Sequence, residues 1–267
     1  MTPADPFAPS LDAALDRVAA APRLLVALDF DGTLAPEVDD PLSARALPEA
    51  AAALEALRAL PETVVALVSG RSLESLAHVG QLAPETPLVG SHGLEVRLGA
   101  GAPEPAVDAA DRERVDALRA ALAPLVDAVD GAWIEDKPAG FAVHTRVVEQ
   151  DAAAALQRDA RERASSLDTG LTVRDGKNVV EFAVRDATKG DGLRILRERL
   201  GVDAVLFAGD DVTDEDALST LGECDLGVKV GAAATVAEHR VPDPAAMAAL
   251  LAELAVRRRG ILSASAR

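Results

Sequence analysis

The stretch LLVALDFDGT, residues 24–33, decides the fold, because an apolar run delivers two carboxylates and then stops on a glycine. Leu24, Leu25, Val26, Ala27 and Leu28 read as a buried parallel strand covered on both faces, where near-continuous apolar runs occur. Asp29 and Asp31 follow at its end, and the period of two in an extended chain puts their side chains on one side. Gly32 then lets the backbone turn sharply. In open α/β sheets ligands bind at the carboxyl ends of the strands, so the pair stands where chemistry is expected. By itself it is equally compatible with a metal site, an acid/base couple or an ordinary turn.

Outward from this strand, the first ninety residues alternate strand and helix, the signature of βαβ units. A helix is expected through PEAAAALEALRAL, 48–60, with Pro48 in its first turn. TVVALV, 63–68, reads as a second buried strand ending on Ser69, Gly70 and Arg71, with a helix from 73. Leu88 and Val89 make a short third strand leading into GSHGLE, 90–95. From about 96 the apolar segments shorten and alternate. Helices are expected over 111–129 and 149–167, and strands over 96–98, 133–135, 141–146, 171–174 and 179–184. This predicts an α+β module with a half-exposed sheet inserted into the first domain, giving a core of 1–95 and 185–267 and an inserted domain of 96–184. The first pattern then resumes with a helix over 189–200, a strand over 204–208, an acidic turn and an apolar run over 226–230. A last helix spans about 244–258, and its three arginines read as a solvated, fraying end. Residues 1–10 read as disordered and 11–20 as a short amphipathic helix.

The chain has 267 residues, room for one large domain or two modest ones. Its net charge of −17, from 27 basic and 44 acidic residues, argues against a nucleic-acid partner. It does not exclude a small anion held by a few local cations. The single cysteine, Cys224, permits no intrachain disulfide and reads as a small buried hydrophobe. The start lacks the basic and apolar segments of a signal peptide, and no apolar run reaches the ~18 residues of a membrane span. A cytoplasmic protein with no membrane partner is expected.

The polar residues at the predicted strand ends are Asp29, Asp31 and Thr33; Ser69 and Arg71; Lys189; and Asp210, Asp211 and Asp214. Three or more carboxylates converging at one edge repel one another unless a hard cation such as Mg2+ sits among them. A lysine and a hydroxyl beside that cation suit a phosphoryl group. An aspartate there can attack phosphorus, and a second, two residues on, can move the proton of the leaving oxygen. The acidic turn is not an EF-hand loop, because the required glycine and terminal glutamate spacing are missing.

DFDGT, then a strand-terminal Ser69, then Lys189, then GDDVTDE at 209–215 resembles, in order, the four motifs of the haloacid dehalogenase phosphohydrolase superfamily. Within it the chain resembles the trehalose-6-phosphate phosphatase family on LDFDGTLAP (28–36), VSGR (68–71), GSHGLE (90–95), EDKP (135–138), HTR (144–146) and GKNVVEF (176–182). The resemblance implies an α/β fold, a Rossmann-like parallel-sheet core with helices on both faces, plus an inserted α+β cap domain. It implies hydrolysis of trehalose 6-phosphate with Mg2+ by a monomer. Asp29 would be the nucleophile and Asp31 the general acid/base, whose carbonyl would also face the metal. Asp210 would be the third metal ligand, with Asp211 and Asp214 holding the metal through water. Thr33, Ser69 and Lys189 would bind phosphate. Arg71, His92, Glu135, Lys137, His144, Arg146, Lys177, Asn178 and Glu181 are the candidate sugar contacts. The same chemistry on sucrose 6-phosphate or mannosyl-3-phosphoglycerate is the enzyme alternative, and such a change would lie in the cap. A receiver-like signalling module is disfavoured by the long insertion and by Asp31. A non-hydrolysing sugar-phosphate sensor would call for a missing catalytic residue, and none is missing.

Overall fold

The computed structural model describes residues 9–38, 40–101, 108–176 and 178–265. The chain forms two compact units, one of Met1–Glu104 with Ala187–Arg267 and one of Pro105–Asp186. It opens with helix α1 (Pro9–Ala19), strand β1 (Leu24–Leu28), α2 (Pro48–Arg58), β2 (Thr63–Val68), α3 (Leu73–Gly80), β3 (Leu88–Gly90) and β4 (Glu95–Arg97). The second unit contributes α4 (Ala109–Asp127), β5 (Trp133–Lys137), β6 (Gly140–His144), α5 (Gln150–Leu167), β7 (Thr172–Gly176) and β8 (Val179–Ala183). The chain returns through α6 (Lys189–Leu200), β9 (Ala204–Gly209), α7 (Asp214–Leu218), β10 (Leu226–Val230), β11 (His239–Val241) and α8 (Pro244–Ser265).

In the first unit seven strands form one sheet in the order β11-β10-β9-β1-β2-β3-β4, parallel except for the β3/β4 pair. β1 is wholly buried because its side chains alternate between two cores. Leu24, Val26 and Leu28 pack in the layer built with α1, α2, α3 and α8, and Leu25 and Ala27 in the layer built with α6 and α7. Each Leu or Val so buried contributes roughly 1.5–3 kcal/mol, which is what fixes the strand that carries Asp29. α6 begins in a capping box: Thr188 accepts from the Asp191 N–H while the Asp191 carboxylate accepts from the Thr188 N–H. That box sets Lys189 at the first turn.

The second unit packs α4 and α5 on one face of an antiparallel sheet, order β5-β6-β8-β7. Phe141, Val143, Val180 and Phe182 meet Leu118, Leu122, Leu156 and Ala160 in its core. Strand alternation turns Trp133, Glu135, Lys137, Ala142, His144 and Glu181 to the opposite face. The architecture is the expected α/β core with a separate α+β unit. No helix among the described residues is long and apolar enough to cross a membrane.

Four expectations are corrected. The strand read at 96–98 belongs to the large sheet: the chain doubles back after Gly93, pairs with β3, and buries Val96 beside Leu193. The second unit therefore begins beyond 96, and it holds Arg185 through ion pairs to Asp108 and Asp111 rather than ending at 184. Cys224 is exposed, because its turn is folded by Asp225, which points inward to Arg197 and the Val205 N–H. The arginines of α8 are not a fraying end, and the helix runs seven residues past 258, to Ser265. Arg257 pairs with Asp12, Asp16 and Glu253. Arg258 is fully buried and donates to Thr63 Oγ1 and the carbonyls of Ala19, Ala21, Pro22 and Glu62. Saturating all its donors is what makes an unpaired guanidinium tolerable inside a protein. The disorder expected over 1–10 lies outside the described residues as far as residue 8.

Candidate active site

β9, β1 and β2 are neighbours, and Leu28 stands opposite both Leu67 and Ala208. Parallel register therefore delivers Asp29, Ser69 and Asp210 to one sheet edge. The Asp29 N–H donates to the Ala208 carbonyl at 2.9 Å, and the Ser69 N–H to that of Val89 at 2.9 Å. Both residues continue the ladder, so their side chains are held by the sheet rather than by a loose loop.

Asp29 is 4% exposed, and Lys189, 3% exposed, lies between it and Asp214, with Nζ at 3.1 Å from Asp29 Oδ1 and 2.7 Å from Asp214 Oδ1. Asp29, Asp210 and Asp214 each offer a carboxylate oxygen within 4.8 Å of the others. Burial pushes the Asp29 carboxyl up to about 8, Lys189 lowering it and Asp214 raising it further. Asp210 is raised by burial and then by Asp214. Burial opposes the charge of Lys189, but Asp29 and Asp214 outweigh it and hold the ammonium above the usual lysine range. Two glycines make room for this crowding. A Cβ on Gly32, whose φ is +70°, would lie 2.1 Å from Asp210 Oδ2, and one on Gly209 would lie 2.1 Å from Asp214 Cγ.

The remaining predicted core residues take different posts. The buried Thr33 hydroxyl donates to Asp210 Oδ1 at 3.3 Å. Ser69 Oγ accepts from the Arg71 N–H at 3.2 Å, which leaves its own proton to give. Arg71 grips Asp31 through both oxygens, at 2.5 and 2.7 Å, and reaches Ser75 Oγ at 3.2 Å. Asp31 thus faces Arg71 and stands outside the group formed by Asp29, Asp210 and Asp214. Asp211 is exposed, and its N–H donates to Asp214 Oδ2 at 2.9 Å. His92 packs its ring over Gly70 at a left-handed backbone position.

Around His92 the stretch 90–95 acts as a brace. The His92 N–H donates to the Ser69 carbonyl and the Ser91 N–H to that of Arg71. Glu95 accepts from Ser91 Oγ and the Leu73 N–H. A Cβ on Gly93 would meet the Thr188 carbonyl at 2.2 Å, so this turn presses on the start of the helix that carries Lys189.

In the second unit, Glu135, Lys137, His144 and Glu181 share the sheet face turned away from α4 and α5. Glu135 accepts from Lys137 at 2.7 Å and contacts His144 Nε2 at 2.7 Å. The Lys137 hydrogen bond leads the causes that hold its carboxyl below the usual range. The His144 ring stacks on Trp133 with centroids 4.6 Å apart and planes within 5°. Arg146 lies beyond the strand in an exposed turn, and Asn178 turns the β7/β8 hairpin at φ +61°, its carbonyl accepting from Thr145. Lys177 lies outside the described residues.

The model of the trehalose-phosphatase family matches residues 27–244. The chain belongs to the trehalose-phosphatase family. That family lies within the haloacid dehalogenase superfamily. The chain is 34% identical over 248 residues to a trehalose-phosphate phosphatase of Mycobacterium marinum, covering 88% of this chain and 62% of that one. It is 32% identical over 250 residues to a bifunctional trehalose-6-phosphate synthase/phosphatase of Thermoproteus tenax, covering 92% of this chain and 34% of the relative. It thus spans from about a third to three fifths of the length of these two curated relatives. The solved trehalose-6-phosphate phosphatase of Aspergillus fumigatus superposes with a TM-score of 0.69 at 25% identity, covering 92% of this chain and 97% of that one.

A phosphatase of this family implies a divalent metal, and the donor set fits one. Three hard carboxylates face a single ammonium, so the edge carries an excess negative charge that an oxygen-seeking cation balances. Several residues that shape this site left little sign in the sequence. Glu95 and Ser91 sit within a quoted motif, but nothing in it marks them as braces. Trp133 was visible only as the single tryptophan. Lys229 interrupts the apolar run LGVKV, and that interruption was its signal.

Proposed function

We propose that this protein is a Mg2+-dependent phosphatase that hydrolyses trehalose 6-phosphate to trehalose and phosphate through an aspartyl-phosphate. The observation that carries this reading is the buried Asp29 carboxylate beside Lys189, with Asp210 and Asp214 converging on the same edge. Asp29 Oδ attacks phosphorus, the bond to the sugar oxygen breaks, and Asp31 gives its proton to that oxygen. Water then attacks the aspartyl-phosphate, Asp31 takes its proton, and phosphate leaves as Asp29 is restored. Lys189 and Ser69 hold the phosphoryl oxygens. Asp29, Asp210 and Asp214, with the carbonyl of Asp31, would hold Mg2+, which offsets charge on the transferring group.

Arg71 occupies both oxygens of Asp31, so the pair has to part before Asp31 meets a leaving oxygen. We read Arg71 as the keeper of Asp31, and the second unit's open sheet face, with Glu135, Lys137 and Glu181, as the surface that recognises the sugar. Carboxylates and an ammonium suit a hydroxyl-rich ligand, and leaving them unpaired penalises smaller sugars.

A substrate panel tests this. Phosphate release from trehalose 6-phosphate is expected with Mg2+ and abolished by chelation, with far slower release from glucose 6-phosphate, sucrose 6-phosphate and mannosyl-3-phosphoglycerate. Equal turnover across the panel would remove the sugar assignment, and release that survives chelation would remove the metal.

A further inference from the structure

Lys229 is a lysine inside the sheet, 1% exposed, on β10 directly opposite Gly209 of β9. Its Nζ donates to the Asp211 carbonyl at 2.9 Å and to Glu215 Oε1 at 2.8 Å. The other oxygen of Glu215 accepts from the Val236 N–H at 2.8 Å. On the far side of the same loop, the Asp211 N–H donates to Asp214 Oδ2. The peptide groups flanking Asp211 are therefore held at both ends, the N–H by Asp214 and the carbonyl by Lys229. Asp210 is the residue immediately before this clamp, and Asp214 is its other jaw. A buried ammonium is costly unless its partners demand it, and here the partners are the loop that presents two of the three converging carboxylates.

We propose that Lys229 is a positioning residue for the cation-binding edge, setting the geometry of Asp210 and Asp214 through the Asp211 backbone without touching substrate or metal itself. This rests on reading Asp29, Asp210 and Asp214 as a divalent-cation site. Coulomb's law and positioning predict opposite signs. Removing a buried positive charge beside a cation site strengthens cation binding if charge alone matters, whereas loosening the clamp weakens it.

The test is titration of the whole protein with Mg2+ alone, and with Mn2+ alone, by calorimetry and by thermal shift, on wild type, Lys229→Met and the pair Lys229→Met/Glu215→Gln. The double variant removes the ammonium together with the charge it neutralises. Outer partners of metal ligands typically change metal affinity or activity by about 10–100-fold. The expected result is a cation affinity weakened about tenfold or more in both variants. The Mg2+ concentration for half-maximal turnover should rise to match, kcat should fall, and KM for the sugar phosphate should hold. Unchanged or tighter binding in a folded variant overturns the proposal. Failure of both variants to fold would assign Lys229 to the stability of the sheet, and overturns it too. The titrations use no sugar phosphate, so they stand apart from the sugar assignment. A wild type that binds neither ion would instead defeat the metal reading.

Discussion

The carboxyl edge of the large sheet and the open face of the small sheet both gather charged residues, yet they do so by different physics. At the edge, three neighbouring parallel strands end in step, and their next residues meet in a buried space where burial and like charge push carboxyls upward. On the open face, alternation along antiparallel strands lines up Glu135, Lys137 and His144 in a half-exposed array, and Glu135 is held downward, chiefly by Lys137. The edge gathers carboxylates against a single ammonium, the donor set that fits a hard cation. On the face Glu135 is already paired with Lys137. The comparison teaches that register in a parallel sheet concentrates like charge in a buried space, whereas alternation in an open antiparallel sheet spreads paired charges over a half-exposed face.

Breaking the edge should have the largest effect. Asp29→Asn removes the proposed nucleophile while keeping its shape, and phosphate release should drop by about 10^4-fold or more. A residual rate above a hundredth of wild type would show that another group attacks.

Asp29 also makes the edge sensitive to pH. Its folded carboxyl is raised from 3.8 to about 8, so the folded state binds that proton more tightly than the unfolded chain. The contribution is fully present below the unfolded value and is lost as pH rises towards 8, to the extent of about 6 kcal/mol at most. In a chelator, the melting temperature should therefore fall between pH 5 and pH 8. Mg2+ should restore it more at pH 8 than at pH 5, because at pH 5 it displaces a proton. An equal Mg2+ effect at both values would contradict the raised carboxyl.

On the face, Glu135→Gln and Glu181→Gln should each raise KM for trehalose 6-phosphate by roughly tenfold, with turnover of a small aryl phosphate unaltered. Loss of both activities together would overturn the assignment of sugar recognition to this face. The smallest effect is spectroscopic. Trp133 is the only tryptophan, 43% exposed and stacked on His144, so its fluorescence reports this face alone. Trehalose added to wild type should shift or quench it modestly, and inorganic phosphate should leave it unchanged.

Much of the edge was legible because strand-terminal chemistry is local. An apolar run, an aspartate and a glycine occupy consecutive positions, so Asp29, Gly32, Ser69 and Asp210 could be placed from their own neighbours. Arg71 was legible as a functional residue but not as the partner of Asp31, because that pair joins loops forty residues apart. The fate of 96–98 was misread for a related reason. A three-residue strand carries no sign of which sheet it will join, and burial of Val96 between β3 and α6 decided it. Arg257 and Arg258 looked like an ordinary charged helix end, since apart from Glu253, one turn back on α8, the groups that receive them lie 195 or more residues away.

By itself the sequence determined the alternation of elements, the buried character of β1, and the set of carboxylates with their lysine, because apolar periodicity and glycine-marked turns act over a few residues. Only the tertiary structure decided which of those acids converge, that Asp31 faces Arg71 while Asp214 joins Asp29 and Asp210, and that Lys229 holds the loop between. Such pairings depend on strand order and register, which bring together residues that no local rule connects.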